Sequence, residues 1–297
     1  MSADTATEPR LIAHRGFAGR YPENTVAAVE AAARDGAAMV EVDVLPCGDG
    51  DPVVFHDERL DAGGEGAAAR GITDATGVVW ETPRETVRAA EVLDSGETVP
   101  TLAEVVRALD AAPTDVGLVL DLKHPGTPET SMLPGGTDAD RAVRRRRWEP
   151  FVERVLDVVA GFGGDLLVSA FDAAALAAAR ELDPDASLAV LFADDPLVAL
   201  STAERLDADA LHPPVDAVLP EAPGPATAAG DRASPAATDA ADGPPPVDGT
   251  PDVVALAREA GLDVNVWTVR TWIEAARLVR AGVDGVIADY PGLLDGW

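Results

Sequence analysis

In Met39-Val40-Glu41-Val42-Asp43-Val44 apolar and acidic residues alternate from Val40 onward. Successive side chains on a strand point to opposite faces, so Val40, Val42 and Val44 share one face and Glu41 and Asp43 the other. The valines suit a surface packed under helices, which leaves two carboxylates on the inner side of the sheet. Leu118-Val119-Leu120-Asp121-Leu122-Lys123 repeats the design, with leucines on the helix side and Asp121 and Lys123 opposite them. A sheet covered by helices outside and charged near one end within is the cross-section of a barrel.

Further along the chain in both directions, β-branched runs at 11–14, 39–45, 53–56, 117–123, 166–170, 187–192, 210–212, 263–269 and 285–288 alternate with Ala-rich helical stretches. Helices are predicted at 24–35, 102–110, 149–160, 173–182, 197–206, 252–260 and 272–281. Strand–helix alternation predicts a parallel α/β fold. About eight such units in a chain a little longer than ~250 residues fit a (β/α)8 TIM barrel better than an open sheet. A G-x-G-x-x-G fingerprint does not follow the first strand, which weakens a dinucleotide-binding reading.

The 297 residues are read as one domain with two interruptions. Residues 58–100, directly after His56-Asp57, form an expected insertion on one face. Residues 221–250 hold six prolines and no aromatic residue and are expected to be a disordered loop. Arg144 to Arg147, four arginines at a predicted helix start, read more readily as a solvated face paired with carboxylates than as a grip on an anionic headgroup.

A formal net charge of −29 opposes nucleic acid and anionic membrane surfaces as partners. A stretch approaching the ~18 apolar residues of a membrane span is absent, so stable membrane insertion is not expected. MSADTATEPR has neither a basic nor an apolar region of a signal peptide, and Cys47, the one cysteine, allows no intrachain disulfide; the expected location is cytoplasmic. Of the 23 Lys and Arg residues Lys123 is the only lysine. Dense carboxylate with almost no lysine suits multimolar salt, where the Debye length is ~3 Å or less, and a halophilic cytoplasm is the expected habitat.

His14, His56, His124 and His212 all fall at or just past the end of a predicted strand, the catalytic end in a (β/α)8 barrel. For His124 and His212 a structural role weighs equally. Glu41, Asp43 and Asp121 offer oxygen ligands to a divalent cation, Ca2+ or Mg2+; the competing reading is a salt-bridge network closed by Lys123 and Arg15 without metal. His14-Arg15-Gly16 leads into Tyr21-Pro22-Glu23-Asn24-Thr25 at a helix start, where the Arg15 fork and the helix N-terminus would both favour a phosphate.

The pieces IAHRGFAGRYPENT (12–25), EVDV (41–44), VVFHD (53–57), VPTLAEVV (99–106), LDLK (120–123), SAFD (169–172), VWTV (266–269) and AGVDGVIADYP (281–291) together resemble the glycerophosphodiester phosphodiesterase family. The resemblance implies a barrel with a small insertion after the HD motif, and metal-dependent hydrolysis of a small-molecule phosphodiester to an alcohol and glycerol phosphate. It further implies His14 and His56 as the acid/base pair, Arg15, Lys123 and Trp267 as substrate contacts, and Glu41, Asp43 and Asp121 as metal ligands. Three positions depart from the family pattern: Asp121 stands where Glu is usual, Arg270 where Asn is frequent, and Ala288 where Thr is usual. A phospholipid phosphodiesterase would use the same residues with an apolar rim, for which Met132-Leu133-Pro134 is a small candidate. A glycosidase would leave the HRG and DLK cations without a role, and a non-catalytic binding barrel would be expected to have lost a charged group that this chain keeps. The oligomeric state is not legible.

Overall fold

A computed structural model describes residues 8–62, 70–123, 137–219 and 251–296. Eight parallel strands close on themselves: β1 (Arg10–His14), β2 (Met39–Pro46), β4 (Gly117–Leu122), β5 (Leu166–Ala170), β6 (Leu188–Leu191), β7 (Ala210–His212), β8 (Asp263–Val269) and β9 (Gly285–Ala288). Ile12 sets the closure, opposite Met39 of β2 on one side and Ile287 of β9 on the other. This is a (β/α)8 TIM barrel. Between the strands run α1 (Val26–Arg34), α3 (Leu102–Asp110), α4 (Asp138–Val159), α5 (Ala173–Leu182), α6 (Pro196–Leu206), α8 (Val253–Ala260) and α9 (Trp272–Ala281), with a four-residue turn of helix, α7 (Val215–Val218), after β7.

The alternation in the sequence becomes two packing layers. Val40, Val42, Val44, Leu118, Leu120 and Leu122 belong to the large core between sheet and helices. Ile12, Met39, Val119, Leu167, Ala189, Ala210 and Ile287 fill the barrel interior as a separate apolar layer. Each fully buried Val or Leu contributes about 1.5–3 kcal/mol, so slipping β2 by one residue would send three valines inward and two carboxylates under the helices.

The stretch predicted as strand 53–56 is shorter and differently placed. β3 (Pro52–Val54) is antiparallel to β2, pairing Val54 with Val44, and is therefore a return arm and not a stave of the barrel. It carries the chain back toward the mouth, where the Phe55 amide donates to the Asp43 carbonyl at 3.0 Å. Beyond it a turn of 3-10 helix (Val79–Glu81) and α2 (Arg84–Ala89) pack Leu60, Val79, Val87, Val92 and Val99 against Leu45, Cys47, Val53 and Phe55 of the hairpin, a satellite core of its own.

Two helix starts differ from expectation by more than one residue, for reasons of capping. α1 begins at Val26, since Thr25 is its cap and accepts from the Ala28 amide at 3.2 Å. α4 begins at Asp138, eleven residues before the predicted start, because Thr137 and Asp140 form a capping box. Arg144 to Arg147 thus lie inside α4. Arg145 pairs with Glu149 at 3.2 Å and with Glu181 of α5 at 2.6 Å, while Arg144 lines, with Arg141 and Arg205, a cavity of about 520 Å³ between α5 and α6. His124, Met132-Leu133-Pro134 and residues 221–250 lie outside the described residues. Among the described residues no helix is long and apolar enough to cross a membrane.

Candidate active site

β1 ends at His14 and the chain turns at once: Arg15, Gly16 and Phe17 all have positive φ, at 51°, 77° and 65°. A Cβ on Gly16 would stand 2.8 Å from the Ala28 side chain, so the approach of this turn to α1 requires glycine. The turn folds Arg15 back over the mouth. Its amide donates to Glu41 Oε2 at 2.9 Å, its Nη1 to Glu23 Oε1 at 2.9 Å, and its Nε lies 3.1 Å from Asp43 Oδ2 without hydrogen-bond geometry.

Register brings the carboxylates together. Asp43 and Asp121 are paired across β2 and β4, and Glu41 sits one inward position below Asp43. One oxygen from each of Glu41, Asp43 and Asp121 lies within 4.8 Å of the others, and all three residues are buried. Lys123 Nζ donates to Asp121 Oδ2 at 2.5 Å and stands 3.0 Å from Asp43 Oδ1. Asn24 fixes Asp43 from the other side, its Nδ2 donating to Oδ2 at 2.8 Å and its Oδ1 accepting the Asp43 amide at 3.2 Å.

Burial pushes Glu41 well above the usual carboxylate range, and its neighbours Asp43 and Asp121 push it further. Burial works the same way on Asp43, but Arg15 and Lys123 outweigh it and hold Asp43 well below that range. Lys123 is raised despite its burial, by Asp121 and Asp43. Three carboxyl groups face two cations in a buried pocket, and the upward shift of Glu41 reflects the cost of a third negative charge there. Among the described residues Asp121 Oδ1, which is buried, has no hydrogen-bond partner. An all-oxygen donor set with an orphaned carboxylate oxygen fits a hard divalent cation.

Both histidines on the rim are held at Nδ1. His14 Nδ1 is 2.6 Å from Asp289 Oδ1, and Arg270 Nε donates to the other Asp289 oxygen at 2.9 Å. His56 Nδ1 is 2.7 Å from Asp57 Oδ1. A carboxylate at Nδ1 favours the tautomer with its proton there, leaving the lone pair on Nε2. Burial lowers the His14 pKa against the pull of Asp289. Burial raises Asp57, but His56 and Arg70 prevail and hold it at about 2.

Trp267 stands in the wall beside this group. Its Nε1 donates to the His212 carbonyl at 2.7 Å, and its ring meets Phe171 edge-on with centroids 5.6 Å apart, while Lys123 Nζ lies 5.8 Å from the centroid of the same Phe171 ring. His212 is elsewhere, buried inside the barrel with Nε2 at 3.0 Å from Asn265 Nδ2 and its pKa pushed down to about 3 by burial. It is a neutral structural histidine.

The PENT segment acts differently from the sequence reading. Thr25 satisfies the helix N-terminus, and what reaches the site is the pair of side chains before it, Glu23 and Asn24. Asp57 and Asp289 lie inside quoted motifs, and their role becomes visible only in the contacts with the histidines. Arg70, at the end of a Gly/Ala-rich run, carries no signal in the sequence.

A closed parallel barrel with this mouth belongs to the class of (β/α)8 hydrolases. Within that class the chain is a member of the glycerophosphoryl diester phosphodiesterase family, whose model matches residues 14–293, and it is thereby a phosphoric diester hydrolase. A glycerophosphodiester phosphodiesterase of Caldanaerobacter subterraneus is 26% identical over 295 residues, covering 96% of this chain and 95% of that one. Two solved structures share the fold. An Oleispira antarctica phosphodiesterase in complex with the product sn-glycerol-3-phosphate has a TM-score of 0.69 at 24% identity, covering 95% and 94% of the two chains. Glycerophosphodiester phosphodiesterase from Thermotoga maritima has a TM-score of 0.63 at 20% identity, covering 95% of each.

Proposed function

We propose that this enzyme hydrolyses glycerophosphodiesters to an alcohol and glycerol phosphate by histidine acid/base catalysis, with a divalent cation held by Glu41, Asp43 and Asp121. The observation that carries the reading is the convergence of two carboxylate-held histidines and the Arg15–Lys123 pair on one buried acidic triad. A bound Ca2+ or Mg2+ would supply positive charge to the phosphate oxygens. Arg15 and Lys123 orient the phosphate and stabilise its equatorial oxygens as they gain charge. Nε2 of one histidine takes the proton of the glycerol hydroxyl that attacks phosphorus, and the other protonates the departing alcohol oxygen. Burial lowers the His14 pKa, which favours its proton-accepting form for the first step. The cyclic glycerol phosphate so formed is opened by water with the roles exchanged. Trp267 and Phe171 offer an apolar wall to the bound substrate.

The test is release of glycerol phosphate from a glycerophosphodiester before and after EDTA, in wild type and in His14→Ala and His56→Ala. Loss of about 10²–10⁴ in rate is expected in each variant. Full activity in EDTA would overturn the cation assignment, and a full rate in either variant the acid/base assignment. The surface of a chain with net charge −29 and one lysine fits a salt-rich cytoplasm; a thermal midpoint that does not rise between dilute buffer and molar KCl would reject that part.

A further inference from the structure

We infer that Arg70, supplied by the segment after His56-Asp57, is a positioning residue that locks the phosphate-orienting arginine and the rim histidine into one unit. The inference rests on the proposed roles of Arg15 and His56. Its basis is a chain of contacts through two buried carboxylates. Arg70 Nη1 and Nη2 donate to the two oxygens of Glu23 at 2.7 and 2.6 Å. Its Nε donates to Asp57 Oδ1 at 3.1 Å, and its amide to Asp57 Oδ2 at 2.9 Å. Each carboxylate also holds a second group. Glu23 Oε1 accepts from Arg15 Nη1 at 2.9 Å, and Asp57 Oδ1 holds His56 Nδ1 at 2.7 Å. The order is Arg15–Glu23–Arg70–Asp57–His56.

The geometry needs arginine. Glu23 is 8% exposed and Asp57 1%, so without the guanidinium each would keep a largely desolvated charge with one cationic or N–H partner fewer. A planar fork presents three directed nitrogens to two carboxylates at once, whereas a lysine ammonium is one point charge on a flexible stem and cannot reproduce both pairs. Both carboxylates are held below their ordinary pKa with Arg70 among the causes, consistent with ionised partners on both sides. Arg270 behind His14 offers a contrast: its side chain is 64% exposed and reaches one carboxylate, through Asp289 Oδ2. Arg70 alone of the two joins a histidine to a phosphate-orienting group.

The coupling is read by steady-state kinetics with glycerophosphocholine as the probe, in saturating divalent cation, on Arg70→Ala, Glu23→Gln, Asp57→Asn and the two double variants that include Arg70→Ala. Asp57→Asn should lower kcat about 10–100-fold, the range for groups that orient a catalytic ligand, and Glu23→Gln should raise KM. Arg70→Ala should do both. In the Asp57→Asn background it should no longer lower kcat, and in the Glu23→Gln background it should no longer raise KM. The Arg70 side chain is 42% exposed, so its loss opens a slot to solvent; added guanidinium should restore rate to Arg70→Ala saturably, while Arg70→Lys should not recover it. Effects that multiply independently in the double variants, or wild-type kcat and KM in Arg70→Ala, would overturn the inference. Should Arg70→Ala fail to fold, Arg70→Lys in the same two backgrounds gives the same reading. Inactive histidine variants beside a fully active Arg70→Ala would defeat this inference only; active histidine variants would defeat the proposed function beneath it.

Discussion

The proposed cation site in the acidic triad would tie cation binding to the stability of the fold, and the size of the effect can be worked out. Two carboxylate oxygens 4.8 Å apart repel by about 3.5 kcal/mol at an effective dielectric of 20. Arg15 and Lys123 offset part of this repulsion, and the upward shift of Glu41 reflects what remains. A divalent cation at a hundredfold over its dissociation constant stabilises the native state by about 2.7 kcal/mol. At about 2 °C per kcal/mol for a chain of this size the thermal midpoint should rise by about 5 °C. Asp121→Asn removes a charged ligand and the orphaned oxygen Oδ1. If affinity falls a hundredfold, the same cation concentration then equals the dissociation constant, and the gain shrinks to about 0.4 kcal/mol, under about 1 °C. The assay is a thermal melt of EDTA-treated protein against a Ca2+ or Mg2+ series, wild type beside Asp121→Asn. A wild-type midpoint that ignores millimolar cation, or an Asp121→Asn shift equal to wild type, would refute the reasoning.

Three further outcomes follow from named contacts. Lys123→Met leaves Asp43 and Asp121 without their ammonium and should destabilise the EDTA-treated protein by about 3–5 kcal/mol, with a smaller loss in saturating cation; denaturant titration in both conditions checks it. His212 is buried and neutral with a folded pKa of about 3, so the unfolded chain takes up its proton first, from about pH 6.5 downward. Its contribution is complete above about pH 6.5 and declines toward pH 3 by up to about 1.4 kcal/mol per pH unit, and His212→Gln should flatten the stability profile measured across that window. In Gly285→Ala the new Cβ would fall 2.3 Å from Asn265 Oδ1, in the buried pair with His212, and unfolding should become easier by about 1–3 kcal/mol as read by the denaturant midpoint.

The fold was legible because alternation in β2 and β4 has one physical solution: valines and leucines under the helices, Glu41, Asp43 and Asp121 within. The same period led to the triad, and lysine depletion drew attention to Lys123. Local pattern misjudged β3, since a three-residue arm and a barrel stave share the same β-branched signature and differ only in the partner they choose. It misread PENT for a similar reason: a helix start shows in the sequence, but whether its free amides face a ligand or their own threonine does not. Arg70 was invisible because its partners are 13 and 47 residues away, joined only when the segment after His56-Asp57 folds against the barrel.

The return arm also has a consequence for how the enzyme loses activity. His14, Glu41, Asp43, Asp121 and Lys123 are mounted on staves closed by the large core, whereas His56 hangs from a hairpin whose apolar side is buried in the satellite core of Leu60, Val79 and Val99. Regions with fewer buried contacts open at lower free energy than the whole. The satellite is expected to open before the barrel, and with the proposed acid/base roles this would part His56 from His14. Inactivation and unfolding would then be two separate events, with the smaller unit setting the working limit of the enzyme.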